Sequence, residues 1–416
     1  PLPQYQLLLN MSQMMNLTKL IEAQLQTVYP EVVRHYRHLH QHPELSYQEK
    51  ETSEYVIHFL EREKISFRKN IGGYGILAWI EGEKQGEKRT IAFVADMDAL
   101  PVEEQNEVPY RSQNKGMMHA CGHDSHTASL MGAVKIVHAL RKEFSGRVLF
   151  VFQPGEERSP GGADLMLKDG LFRDFKPEFI VKQHAYIDLP AGKVAFQTGT
   201  VMASADEIHI KVKGQGGHGA LPHELNDTVL AASAVVMALQ QVVSRRRNPF
   251  QPMALSFGKF IAEGATNVIP SEVTLAGSLR CMDESERKKM LQIIPEIVES
   301  TARAYGCSCE IEIPSGYPCT ISHEEITTKV VQNAVSFLGE DNVTEFPQRM
   351  TAEDFGFYSQ IYPSCFYRFG VNNASETCGK LHSSTFLIDE KALETASGLF
   401  AYIAISQLHE CKLQFI

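Results

Sequence analysis

The stretch RTIAFVADMDALP, residues 89–101, runs apolar residues together before the aspartates Asp96 and Asp98. An unbroken apolar run predicts a strand over 91–95 that is buried on both faces, as in a parallel sheet. The aspartates then fall at its carboxyl end, the edge where open α/β sheets hold ligands. The same pattern returns along the chain. GRVLFVFQPGEE, residues 146–157, predicts a strand over 148–152, closed by Pro154 and Gly155 and followed by Glu156 and Glu157. EFIVKQHA, residues 178–185, predicts another with His184 at its end, and CFYRFGV, residues 365–371, a late one. Residues 127–140 carry helical apolar spacing, with Leu130, Met131, Val134, Val137 and Ala139 near one face. GYGILAWI, residues 73–80, lacks a phosphate-loop pattern and reads as a hairpin turn. Alternating strands and helices predict an α/β fold whose mostly parallel sheet is covered on both faces.

The rhythm changes in the middle. Strands are expected over 208–212, 253–260, 273–280 and 309–313, and helices over 227–243 and 284–305. That order, β-α-β-β-α-β, is ferredoxin-like and can close a small domain by itself. The expected division is a discontinuous first domain, residues 1–199 and 316–416, around an inserted domain, residues 200–315.

Composition narrows the function classes. A chain of 416 residues exceeds what one core usually serves. A net charge of −10 argues against nucleic acid as a partner, and Arg245, Arg246 and Arg247 read as a solvated helix end. The sequence suggests no apolar stretch long enough to span a bilayer and no signal peptide at its start, so no membrane partner is expected. Eight dispersed cysteines do not make a disulfide framework, which favours a reducing cytoplasm.

GMMHACGHDSHTASL, residues 116–130, places His119, Cys121, His123 and His126 close together. Gly122 lets the backbone turn so that Cys121 and His123 can face one ion, and a following helix N-terminus would favour the thiolate. Alone, a C-G-H pair is more often packing than ligation. Further donors follow the neighbouring strands: Glu156, Glu157, His184, and His382 in KLHSSTF, residues 380–386. Together Cys121, His123, Glu157, His184 and His382 could furnish two adjacent metal positions, with Glu156 free as a base. Spacing alone leaves the packing reading open. RHYRHLHQHPELS, residues 34–46, is richer in histidine, yet His35, His38, His40 and His42 read as surface or packing residues.

The motifs ADMDALP, MHACGHDSHTA, FQPGEE, GGHGALPH, NVIP, EDF and LHSSTF occur in one order from about residue 34 to 393. In this the chain resembles the binuclear metallo-aminoacylase and carboxypeptidase superfamily, in the branch of hippurate hydrolases, N-acyl-amino-acid amidohydrolases and plant auxin-conjugate hydrolases. The resemblance implies a zinc-exopeptidase-like three-layer α/β/α catalytic domain with an inserted ferredoxin-like α+β domain that often dimerises. It implies Cys121, His123, Glu157, His184 and His382 as metal ligands, with Cys121 bridging two divalent ions. Glu156 matches the general base, and Asp98 an active-site acid that orients a ligand. His218 of GGHGALPH matches the histidine that polarises the scissile carbonyl, often in a partner subunit, while Asn267 and Arg280 match residues that hold the substrate carboxylate. Asp96 stands where other branches carry a metal-binding histidine, and MTAEDF departs from the usual residues before EDF, which leaves Glu353 without a firm role.

The expected activity is metal-dependent hydrolysis of N-acyl-L-amino acids, hippurate-like or related conjugates. A thiolate favours zinc, cobalt or nickel, carboxylates also admit manganese, and the resemblance implies zinc or manganese. The competing readings are a dipeptidase or carboxypeptidase with the same centre, a metal-dependent binding protein without turnover, and a thiol hydrolase using Cys121.

Overall fold

The computed structural model describes residues 2–373 and 379–409, with side chains from Met15 onward. It divides into two compact units, Pro1–Gly199 with Ile321–Pro347 and Phe357–Ile416, and Thr200–Thr320 with Gln348–Gly356. The second unit takes in Gln348–Gly356, outside the expected 200–315. Backbone bonds hold it there: Ala203 N donates to Arg349 O at 3.1 Å and to Thr351 O at 3.0 Å.

The first unit is built on an eight-stranded mixed sheet. Its strands lie in the order Ser66–Ile71, Gly75–Glu81, Arg147–Gln153, Thr90–Asp96, Phe179–Pro190, Ser364–Asn372, Val194–Phe196 and Val343–Glu345. The four middle strands run parallel, and nearly every side chain in them is buried on both faces, as their apolar runs require. The Ser66–Ile71 and Gly75–Glu81 strands form the hairpin expected around residues 73–80. Helices Leu2–Gln41, His123–Ala139 and Ala392–His409 pack on one another, and the last two also pack on sheet strands. Helix His123–Ala139 is buried on almost every side, so its apolar residues encircle it rather than forming one stripe.

His184 lies inside the Phe179–Pro190 strand rather than at its end. The reason is a change of neighbours. Pairing with Thr90–Asp96 stops at Val94↔Lys182, whereas pairing with Ser364–Asn372 continues to Pro190. Beyond Lys182 the strand therefore has one open edge, and His184 stands on it.

The second unit is a four-stranded antiparallel sheet in the order Met253–Ile261, Glu272–Cys281, Asp206–Lys213, Ser308–Glu312. In chain order that is strand two, three, one, four, the ferredoxin-like arrangement. Helices Thr228–Gln241 and Glu284–Ala304 pack on it and on each other. Asp227 caps the first by accepting from Val229 N at 3.0 Å and Leu230 N at 2.9 Å. Contrary to the expectation of no such stretch, Thr228–Arg246 is long and apolar enough, by length and composition, to cross a bilayer. Ala231, Ala232, Val235 and Leu239 bury one face in this unit's core, while Leu230 and Met237 remain exposed.

Candidate metal centre

Gly122 adopts φ 86°, a left-handed conformation that an L side chain resists, and a Cβ there would lie 3.0 Å from the Ala185 Cβ. This turn starts helix His123–Ala139 directly after Cys121. From the opposite direction, His382 N donates to Ala120 O at 2.8 Å, tying its loop to the same segment. Five donors from four separate stretches thus meet. Cys121 Sγ lies 3.5 Å from His184 Nε2, and His382 Nε2 lies 3.3 Å from Glu157 Oε1. Donor atoms of Cys121, His123 and His184 come within 4.8 Å of one another, and so do those of Cys121, Glu157 and His382. Cys121 is common to both groups. Glu156 Oε2 stands 3.9 Å from His123 Nε2, and Glu156 is buried.

Asp98 organises two of these residues, His123 through its ring and Glu157 through its backbone. Its backbone O and Oδ1 receive His123 Nδ1 at 2.9 and 3.2 Å. Its Oδ2 accepts from Glu157 N at 2.9 Å and from Ser46 Oγ at 2.7 Å. Because Nδ1 of His123 is committed, Nε2 is left to face the cluster. His184 is fixed the same way, with Nδ1 donating to Ala185 O at 2.9 Å. Such outer hydrogen bonds are what set a ligating imidazole.

The electrostatics favour positive charge at His123. Burial opposes charge on His123, yet Asp96, Asp98 and Glu157 push its pKa up to about 10. Burial, with Glu157 and Glu156 adding to it, raises the Cys121 thiol well above the usual range. Burial and then Arg368 keep His184 neutral, and its pKa falls well below the usual value. Among the described residues His123 Nε2 is a buried atom without a hydrogen-bond partner, and Glu157 Oε1 meets His382 Nε2 at 3.3 Å. A carboxylate, a thiol and three imidazoles, gathered at one point, suit one or more divalent ions that displace their protons.

Other residues from the sequence fall as follows. Asp96 lies behind the cluster, with Oδ1 2.6 Å from His126 Nδ1 and Oδ2 2.6 Å from Lys182 Nζ. Spacing gave no signal for Lys182, which looked like an ordinary strand residue. His119 is buried and neutral, since burial lowers its pKa to about 4. In the second unit, His218 is exposed and pairs with Val268, and Gly219 N donates to Asn267 O at 2.8 Å. Ala220 N donates to His218 Nδ1 at 3.1 Å, which leaves Nε2 as the donor of a neutral ring. Arg280 is half-buried near the far end of Glu272–Cys281, roughly 26 Å along the strand from Glu272, the end that adjoins this hairpin. One copy of this unit therefore does not bring His218 and Arg280 to one point. Glu353 is buried, and its Oε1 accepts from Phe355 N at 3.2 Å.

The histidine-rich stretch 34–46 divides. His38 stacks on Tyr55 at 4.0 Å, and His35 Nδ1 meets Tyr55 Oη at 2.7 Å. His40 instead joins Asp124 at 2.6 Å and Glu104 at 3.0 Å, wholly buried, linking helix Leu2–Gln41 to the first turn of the helix that carries His123. Burial disfavours its charge, but the two carboxylates raise its pKa from 6.5 to about 9. A raised folded pKa contributes stability that is complete below about pH 6.5 and is lost as pH rises through about 9. The expected contribution is about 3 kcal/mol. Thermal midpoints of the parent should fall more steeply than those of His40→Gln between pH 6.5 and 9, and equal slopes would reject the charged pair.

The model of peptidase family M20/M25/M40 matches residues 92–406. An N-acyl-L-amino acid amidohydrolase of Geobacillus stearothermophilus is 38% identical over 298 residues, 72% of this chain and 80% of that protein. Thermostable carboxypeptidase 2 of Saccharolobus solfataricus is 32% identical over 395 residues, 94% of this chain and 99% of that protein. Among solved structures, YXEP of Bacillus subtilis, a dinuclear metal-binding peptidase of family M20, superposes with a TM-score of 0.78 at 30% identity, covering 92% of this chain and 99% of that one. The chain therefore belongs to peptidase family M20/M25/M40 and is a metal-dependent hydrolase of amide bonds.

Proposed function

We propose that the chain hydrolyses N-acyl-L-amino acids to a carboxylic acid and a free amino acid, using two divalent ions, zinc or manganese. The observation that carries this reading is the pair of donor groups sharing Cys121 with Glu156 alongside. Cys121, His123, Glu157, His184 and His382 would hold the ions, and Cys121 belongs to both donor groups. When bound, the ions supply Lewis acidity toward water and the amide carbonyl. Glu156 accepts the proton of the attacking water and returns it to the leaving nitrogen. Asp98 keeps His123 and the Glu157 backbone in place. Nε2 of His218 donates to the carbonyl oxygen as negative charge develops there. Arg280 and Asn267 hold the amino-acid carboxylate, for which a planar guanidinium offers two parallel donors.

His218 and Asn267 lie away from Arg280 along the second unit, which supports a homodimer in which the histidine hairpin serves the partner's site. Leu230 and Met237, exposed on the uncharged face of helix Thr228–Gln241, and the edge strand Met253–Ile261 suit that contact. A cytoplasmic setting fits the six free cysteines among the described residues.

A panel of N-acetyl, N-benzoyl and indoleacetyl amino acids, with simple dipeptides, tests the substrate class. N-acyl amino acids should turn over fastest, and amidation of their carboxylate should raise KM by about 30-fold, comparable to losing a charge-assisted pair. Arg280→Ala should show that higher KM with the free acids and little discrimination against the amides. Preference for dipeptides with a free amino terminus would favour the peptidase reading instead.

A further inference from the structure

Residues 44–49, ELSYQE, lie directly before helix Lys50–Arg62 and contribute no donor to the cluster. Both ends of this segment are fixed. Ala99 N donates to Glu44 O at 2.8 Å, and Ser53 N donates to Glu49 O at 2.9 Å. From that frame three side chains reach what supports the centre. Ser46 holds Asp98, as described above. Glu49 is wholly buried, and its Oε1 accepts from Gly155 N at 2.7 Å. Tyr47 Oη donates to Arg158 O and accepts from Gly161 N at 2.9 Å. Gly155 directly precedes Glu156, and Gly162 N closes the same turn by donating to Gly155 O at 3.0 Å.

Glu156 thus sits in a turn gripped on both sides. Gly155 stands at φ 63°, and a Cβ there would lie 2.2 Å from Tyr47 Cε1, so the ring packs on the backbone just ahead of Glu156. Tyr47 is itself held at φ 68°, a left-handed conformation that a bulky residue adopts only where its surroundings enforce it. Glu157 has a separate anchor in Asp98. A buried carboxyl at position 49 costs solvation that an apolar residue would not. What it adds is a fixed acceptor one residue ahead of Glu156. We propose that Glu49 and Tyr47 are positioning residues for Glu156, setting where its carboxylate stands by holding the turn over residues 155–162. The inference rests on the base role proposed above for Glu156.

Steady-state kinetics of the metal-loaded full chain on an N-acyl amino acid test it. Glu49→Ala should lower kcat by roughly 10- to 100-fold, with KM within about twofold of the parent and metal content unchanged, because only the base is displaced. Glu49→Gln, whose amide oxygen can still accept from Gly155 N, should recover most of that loss. Tyr47→Phe keeps the ring against Gly155 and removes both hydroxyl contacts, so its kcat should fall with KM held. It carries the test should Glu49→Ala fail to fold. In a Glu156→Gln background either substitution should lower kcat by less than about threefold, since an absent base cannot be misplaced. Parental turnover in Glu156→Gln alone would reject the base role itself, independently of Glu49 and Tyr47. With the base role upheld, four results would each overturn the positioning role: unchanged kcat in either folded variant, a loss that falls on KM or metal content, no recovery in Glu49→Gln, or an equal loss in the Glu156→Gln background.

Discussion

Glu156→Gln lowers turnover of an N-acyl amino acid by about 10³-fold while metal content stays at the parental value. The expectation follows from placement. Glu156 comes directly after the Pro154 and Gly155 turn that ends a buried strand, so backbone geometry rather than solvation decides where its carboxylate stands. It is buried, and its Oε2 lies 3.9 Å from His123 Nε2, within the cluster. The proposed ligand role falls to its neighbour Glu157, whose Oε1 lies near both His382 and His123. Glutamine keeps the shape and loses the proton-accepting oxygen, so binding and chemistry separate. Metal analysis alongside kcat and KM checks the separation. Turnover within threefold of the parent would remove Glu156 from the base role, and loss of metal with it would make it a ligand instead.

Chelation takes amide hydrolysis to the uncatalysed background, and added zinc, manganese or cobalt restores it. Without an ion, burial and the nearby Glu157 and Glu156 hold Cys121 as a neutral thiol, so it cannot be a ready nucleophile. That disfavours the thiol-hydrolase reading, which expects activity insensitive to chelators. Ion uptake must displace the Cys121 proton and the proton that Asp96, Asp98 and Glu157 favour on His123. Affinity should therefore weaken steeply as the medium is acidified, by up to tenfold per pH unit for each proton released. Isothermal titration in buffers of different ionisation enthalpy counts those protons. A pH-independent affinity would sink the assignment of Cys121 and His123 to the ions.

Much of this was legible from residues because parallel strands advertise themselves. Uninterrupted apolar runs at 91–95 and 148–152 locate interior strands, and the polar residues that follow them must lie at one edge of the sheet. The ferredoxin-like order was legible for the same reason, since strand and helix periods alternate cleanly from Asp206 to Glu312. What could not be read are contacts fixed only by tertiary packing. Lys182 gives no local sign that it faces Asp96, eighty-six positions earlier. His40 looks like its neighbours His38 and His42, yet alone among them it is enclosed by Asp124 and Glu104. The open edge at His184 depends on where another strand stops, which its own sequence does not encode. The bilayer-length segment Thr228–Arg246 shows in its length and sparse charge, not in the helical period that marks its buried face.

The His40 junction has a consequence for how the enzyme fails. Asp124 follows His123 in the chain and grips a residue near the end of the long first helix, so detaching that helix disturbs the anchor of a proposed metal donor. Heating should therefore shed the ions and melt this helix as a single cooperative event, and excess metal in the buffer should delay both together.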